Sequence, residues 1–203
     1  MFALVDKSDN SITRMYSGNQ GITIGENQYP KAIFSLWSES ERNAINIYRI
    51  EIDNTNFKDE EWYINTNVTY AFDGTNATGS YGDATAKPHA DTLYTAEDED
   101  NGLGTEDDVK VKGLKTILIE NVKAQAAGIL SSTDWYVTRK SEKNTAIPSA
   151  ITTHRDAVRS KQASMCTAIT NASDTPALET LYTFTKQDDG SITRPLGELP
   201  TLE

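Results

Sequence analysis

A chain of 203 residues with 37% hydrophobic content is long enough for one good core or two small ones, and it lies above the level at which disorder becomes the default. A formal net charge of −11 disfavours nucleic-acid binding as a role for the whole chain, because it repels a phosphate backbone at long range. No apolar run approaches the ~20 residues of a membrane span, and the single Cys166 excludes an internal disulfide and a cysteine-based zinc site.

The charge is uneven. Residues 1–108 hold 20 acids and 7 bases, residues 109–161 hold 4 acids and 10 bases, and residues 162–203 hold 6 acids and 2 bases. The balances are −13, +6 and −4, so the middle segment is suited to docking on an acidic surface, of this chain or of a partner. The opening residues turn polar at Asp6, too soon for a signal peptide. Matches to the glycosylation pattern at Asn67, Asn76 and Asn171 are therefore read as chance in an Asn/Thr-rich chain. The expectation is a soluble protein of a reducing compartment.

In chain order, Phe2–Asp6 and Ser11–Tyr16 read as strands around a polar turn, followed by a strand at Gly21–Ile24. Ser38 with Glu41 three residues on has capping-box spacing for a short helix. Ala44–Asp53 alternates through Ile45, Ile47, Ile50 and Ile52, with Tyr48 and Arg49 breaking the pattern, which predicts a bulge or register change there. Trp62–Phe72 reads as one strand region, and Ala77–Ala86, past the turn Asp73–Asn76, as a hairpin partner or an extended excursion. Residues 96–108 carry seven acids and two glycines, which reads as a solvated linker. A calcium loop with Gly102 at its sixth position would want Asp first and Glu last; the sequence offers Glu97 and Asp108.

Beyond the linker, Leu114, Ile117, Leu118, Val122, Gln125 and Ile129 recur at helical spacing, as do Ile151, Arg155, Val158, Gln162, Met165 and Ile169. Between them, Ser132, Thr133 and Asp134 stop or cap helices, and Pro148 suits a first turn. The prediction is a helix pair joined by a loop that bears Trp135 and Tyr136. Asp174–Leu181 reads as a short helix, and residues 182–194 as a hairpin around Gln187–Gly190. That hairpin echoes Lys7–Arg14 with one residue inserted, and the residues from Gly197 on form a tail that needs something to hold it.

His89 and His154, the only histidines, stand in no metal-ligand spacing, and His154 reads as a helix-surface residue. There is no phosphate-cradling loop, nucleophile elbow or zinc motif, so neither a catalytic residue, a metal site nor a cofactor is expected. Trp37, Trp62 and Trp135 are read as packing anchors. Exposed aromatics flanked by Arg are typical interface centres, which makes Trp135, Tyr136, Arg139, Arg155 and Arg159 the candidate interface. Within it Trp135 is favoured as a core plug and Tyr136 as the contact residue.

Gly128–Glu142, with Ala146–Pro148 and His154–Arg159, resembles a C-terminal module of tailed-bacteriophage proteins: a helix ending in Leu, two residues and Thr-Asp-Trp, a loop, a Pro, then a helix with two Arg four apart. Similar modules occur in phage tail assembly chaperone and tail-fibre-assembly families and in uncharacterised virion proteins of marine and cyanobacterial phages. Ile33–Tyr48 resembles a segment of the same group, and the two blocks cover about a third of the chain. The C-terminus departs from the Trp- and Pro-rich tail of the fibre-assembly family. The resemblance implies a virion structural protein of the tail, baseplate or fibre attachment, made in the host cytoplasm and oligomeric with other tail proteins. The alternatives are a transient assembly chaperone and a host-surface glycan-binding module on the strands near Trp62. The fold expected is α+β: a β-rich domain over 1–95, an acidic linker over 96–108, and over 109–203 a helical hairpin closed by a β-hairpin.

Overall fold

The structure, a computed structural model, describes residues 1–202. It is α+β, with strands gathered in the N-terminal part and helices plus a strand hairpin in the C-terminal part. Two units divide the chain, Met1–Thr85 and Ala86–Glu203, so the boundary falls ten residues before the one read from composition.

In the first unit β1 (Phe2–Asp6), β2 (Ser11–Tyr16), β5 (Ile47–Asp53), β7 (Thr69–Phe72) and β8 (Ala77–Ser80) form one sheet in the order β2-β1-β5-β8-β7. Only the β5–β8 pair is parallel. Strand alternation sends side chains to both faces, and each face carries a buried cluster. Ala3, Val5, Tyr48, Ile50, Phe72 and Ala77 make one core cluster. Phe2 and Leu4 point the other way and pack on Ile22, Ile33, Phe34 and Ile47. This corrects the expected irregularity at Tyr48 and Arg49. β5 pairs with β1 in unbroken register, Phe2 opposite Arg49 and Leu4 opposite Ile47, because Ile47 and Tyr48 serve different clusters. The register shift sits in β1, between Leu4 and Val5.

The second cluster is closed by the ribbon of β3 (Ile22–Ile24) and β4 (Asn27–Tyr29), by a 3-10 turn at Lys31–Phe34 and by the residues around α1 (Glu39–Ala44). The capping box of α1 forms as read: Ser38 N–H donates to Glu41 Oε2 at 2.7 Å and Glu41 N–H to Ser38 Oγ at 3.3 Å. Trp37 is half-buried, edge-on to Tyr29, and Trp62 is 3% exposed. The single strand expected over Trp62–Phe72 is broken into β6 (Tyr63–Ile64) and β7. Between them polar side chains take over backbone hydrogen bonds: Asn65 bonds both N–H and C=O of Lys58, and Thr66 Oγ1 accepts from Gly82 N–H. Ala77–Ser80 is the hairpin partner, joined through a turn in which Asp73 accepts from Thr75 and Asn76 N–H, and β9 (Thr85–Ala86) follows.

The second unit opens with β10 (Thr92–Leu93), α2 (Ala96–Asp100) and β11 (Val109–Val111). The acidic stretch is exposed, with nothing buried in α2, yet it is a folded excursion rather than a linker. β10 pairs with β11 across it, Thr95 and Asp98 form a capping box, and Glu106 N–H donates to Glu99 Oε2 at 2.8 Å. Local capping and one strand pair satisfy backbone groups that composition alone left to water.

α3 (Leu114–Ser131) packs on α5 (Ser149–Asn171), and α6 (Thr175–Tyr182) follows. Leu118, Val122 and Ala126 are buried on α3, and Ile151, Val158, Met165 and Ile169 on α5, joined by Leu178 and Leu196. The stripes are those read from spacing with two exceptions on α3: Ile117 is exposed, and Ala126 is buried while Gln125 is exposed, since a methyl suits a close helix approach better than an amide. β12 (Thr185–Lys186) and β13 (Ile192–Thr193) pair as a separate two-stranded hairpin, so the echoing hairpins do not share a sheet. The tail is held at its start: Leu196, just before it, donates its N–H to Leu181 O at 3.0 Å, Gly197 N–H donates to Arg194 O at 2.9 Å, and Arg194 pairs with Glu198 at 2.8 Å.

Candidate interface on the fourth helix

The segment read as an aromatic loop is a helix, α4 (Asp134–Lys143). Its ends carry helix chemistry: Asp134 in the first turn, Lys140 and Lys143 in the last, and Asn144 in the left-handed conformation that terminates it. The turn from α3 into α4 is Ser132–Thr133.

One side chain fixes that turn. Arg155 on α5 is 8% exposed. Its Nη1 donates to Leu130 O at 2.8 Å and to Thr133 Oγ1 at 2.7 Å, and its Nη2 to Asp134 Oδ1 at 2.8 Å. Thr133, itself buried, passes its own hydroxyl proton to Leu130 O at 2.9 Å. A carbonyl of the last turn of α3, a buried hydroxyl and the first carboxylate of α4 thus converge on one planar fork. The Thr-Asp of the Thr-Asp-Trp block and the Arg of the following helix are parts of one knot. Arg155 is accordingly not a contact residue, a correction forced by the three acceptors that surround it. The signal was an Arg on a mostly apolar stripe.

Trp135 is also placed differently from the reading as a core plug. It is 51% exposed, and no residue of α4 is buried. Its ring stacks on Tyr136 at 3.8 Å between centroids, and Arg139 lies over both rings at 4.8 and 5.2 Å. Tyr136 and Arg139 are half-buried in consequence, and Arg139 Nε is sealed from water without a hydrogen-bond partner. At 100° per residue Trp135, Arg139, Lys143, Tyr136 and Lys140 fall within about 140° of arc, an aromatic face edged by cations. Arg159, on α5, is exposed and paired with Asp156 at 3.2 Å. The structure therefore gathers Trp135, Tyr136 and Arg139, sets Arg155 beneath them as the support, and leaves Arg159 in an ion pair of its own.

Elsewhere the chain offers less. A groove of about 570 Å³ runs between α3, α5 and the tail, lined by Ile129, Ser132, His154, Leu199 and Leu202 among others. His154 lies in it, largely buried, instead of on the helix surface, because the tail covers its side of α5. Among the described residues no three His, Cys, Asp or Glu side chains gather as metal ligands, and two carboxylates of the acidic stretch, Asp98 and Glu99, turn to local partners. Asp98 is the clearest case: the ammonium of Lys110 at 2.6 Å, with Thr95, holds its pKa down from 3.8 to about 2. Among the described residues no helix is long and apolar enough to cross a membrane. No family model matches the chain, and neither does a curated protein or a solved structure.

Proposed function

We propose that this chain is a structural component of a tailed-bacteriophage virion, built into the tail, baseplate or fibre attachment and acting through protein–protein contacts without a catalytic step. The observation that carries the reading is the α3–α4 corner. A buried guanidinium is committed to holding a helix that buries nothing of its own and displays Trp135, Tyr136 and Arg139. Burying a charge is costly, and it is worthwhile where the element so positioned has work to do at the surface. Trp, Tyr and Arg are the residues that dominate interface centres. The tail context comes from the resemblance of the Thr-Asp-Trp block.

Quantitative mass spectrometry of gradient-purified particles tests this. A fixed copy number relative to the other tail proteins is the expected result. Absence from particles, with presence in infected-cell lysate, moves the role to a transient assembly chaperone. A glycan-binding role near Trp62 gains no support from that residue, because a buried indole presents no face for a sugar to stack on.

A further inference from the structure

We propose that the α4 face binds a second copy of this chain, on the acidic ribbon that leads into α3. The inference names the partner of the interface described above and rests on α4 being an interface.

The ribbon mirrors α4 in chemistry. Leu93 stands directly opposite Val109 in the β10–β11 pair, so their side chains share a face, and Leu93, Leu103, Val109 and Val111 are between 42% and 60% exposed. Around them lie the seven acids of residues 96–108. One surface is thus apolar with an acidic rim, and the other is aromatic with a rim of Arg139, Lys140 and Lys143.

The ribbon is also fixed in advance. Asp91 accepts from Gly113 N–H at 2.7 Å and from the Thr116 hydroxyl at 2.8 Å, Lys110 bridges to Asp98, and α2 is capped at its start. Both surfaces are held rigid by specific hydrogen bonds while contributing no large side chain to the core, which is the preorganisation that lowers the entropic cost of binding.

One chain cannot bring its own two surfaces together. The ribbon ends where α3 begins and α4 starts where α3 ends, and 18 helical residues separate them by roughly 27 Å. Each surface is left to a neighbour, reciprocally in a two-fold pair or head to tail in a larger assembly.

Sedimentation velocity on the purified full-length chain, at up to ~100 μM, tests the pairing. Self-association is expected at ~0.1 M salt and at least roughly tenfold weaker at ~1 M, as the Debye length falls from ~10 to ~3 Å. Arg139→Glu/Lys143→Glu is expected to be monomeric, and so is Glu106→Lys/Asp108→Lys. A mixture of the two is expected to associate again, because each supplies the surface that the other lost. Trp135→Ala, which removes the apolar centre and leaves the charges, weakens association by at least about tenfold and serves if a charge variant does not fold. A monomeric wild-type chain, association that ignores these substitutions, or charge variants that fold yet fail to restore each other when mixed overturns the proposal. A chain that stays monomeric yet is present in particles sinks only the choice of partner. One that self-associates yet is absent from particles sinks only the tail role.

Discussion

The guanidinium of Arg155 donates to the carbonyl oxygen of Leu130 at 2.8 Å, joining residues 25 positions apart. Leu130 belongs to the last turn of α3, where carbonyls have no partner within the helix and a cation is favoured by the helix dipole. The same guanidinium reaches Thr133 and Asp134, so the end of one helix and the start of the next are set by a third.

Arg155→Met should therefore cost about 2–4 kcal/mol in a urea titration, because it removes a charged donor that makes three hydrogen bonds and leaves the buried Thr133 hydroxyl oxygen without one, while Leu130 O keeps the N–H and hydroxyl of Thr133. Arg155→Lys should cost less but not nothing, since an ammonium lacks the planar fork. Asp134→Asn should cost under about 1 kcal/mol, because the Asp134 side chain is 61% exposed and its ion pair is screened. A larger loss from Asp134→Asn than from Arg155→Met would put the weight of the knot on the ion pair instead.

The tryptophans should separate cleanly. Trp62→Ala removes a side chain that is 3% exposed and should lower stability by about 3–5 kcal/mol. Trp135→Ala gives up an exposed ring and its contact with Arg139, under about 1 kcal/mol, and should leave the melting temperature nearly unchanged. Thermal unfolding followed by circular dichroism reads both; a large drop for Trp135→Ala would return that residue to the core.

The legible parts of this chain were those specified by neighbours in sequence. The Ser38–Glu41 capping box, the apolar stripes of α3 and α5 and the C-terminal hairpin each rest on spacing within a few residues. The unit boundary was not legible, because composition marks where acids cluster, whereas the boundary depends on β10 pairing with β11 across those acids. For α4, Ser132, Thr133 and Asp134 announce a stop with equal force whether a loop or a second helix follows. The deciding residues, Lys140, Lys143 and Asn144, lie about six to ten positions beyond Asp134. Trp135 was misplaced because size argued for burial while helix phase puts it beside Arg139 and Lys143. Of the interface, Trp135, Tyr136 and Arg139 were named from sequence. Their dependence on Thr133 and Leu130 was not, since a backbone carbonyl leaves no trace in composition.

Gly113→Ala should loosen the junction between the ribbon and α3. A Cβ there would run into the carbonyl of Ala90 and lie 2.8 Å from Asp91 N, backbone atoms that cannot swing aside. The junction supplies acceptors for the start of α3: Asp91 takes Gly113 N–H, Pro88 O takes Leu114 N–H, and His89 O takes Lys115 N–H, the last two at 3.0 Å. Overpacking of this kind costs about 1–3 kcal/mol. Hydrogen exchange at Leu114 and Lys115 should accelerate in the variant, with Val122 unaffected; uniform acceleration along α3 would mean that the whole helix pair had been weakened.

The acidic ribbon should lose its anchoring at low pH. The Asp98 carboxyl titrates near 2 in the folded chain against 3.8 ordinarily, first through the hydrogen bond from Lys110 and then through Thr95. Asp91 is shifted the same way by the N–H of Gly113 and the hydroxyl of Thr116. A carboxyl with a depressed folded pKa stabilises above its unfolded value, and that contribution fades as pH falls through the folded value. The Asp98 contact is therefore complete at neutral pH and weakens as the pH drops below about 4 toward 2, and the Asp91 contact fades in the same direction. A carboxyl-carbon NMR titration should place Asp98 well below the ordinary carboxylate range, and Lys110→Met should move it back toward that range. The Thr95 amide, which donates to Asp98 Oδ2 at 3.0 Å, should shift with the same midpoint. An Asp98 that titrates in the ordinary carboxylate range, or is unmoved by Lys110→Met, would show that the ammonium does not hold the ribbon.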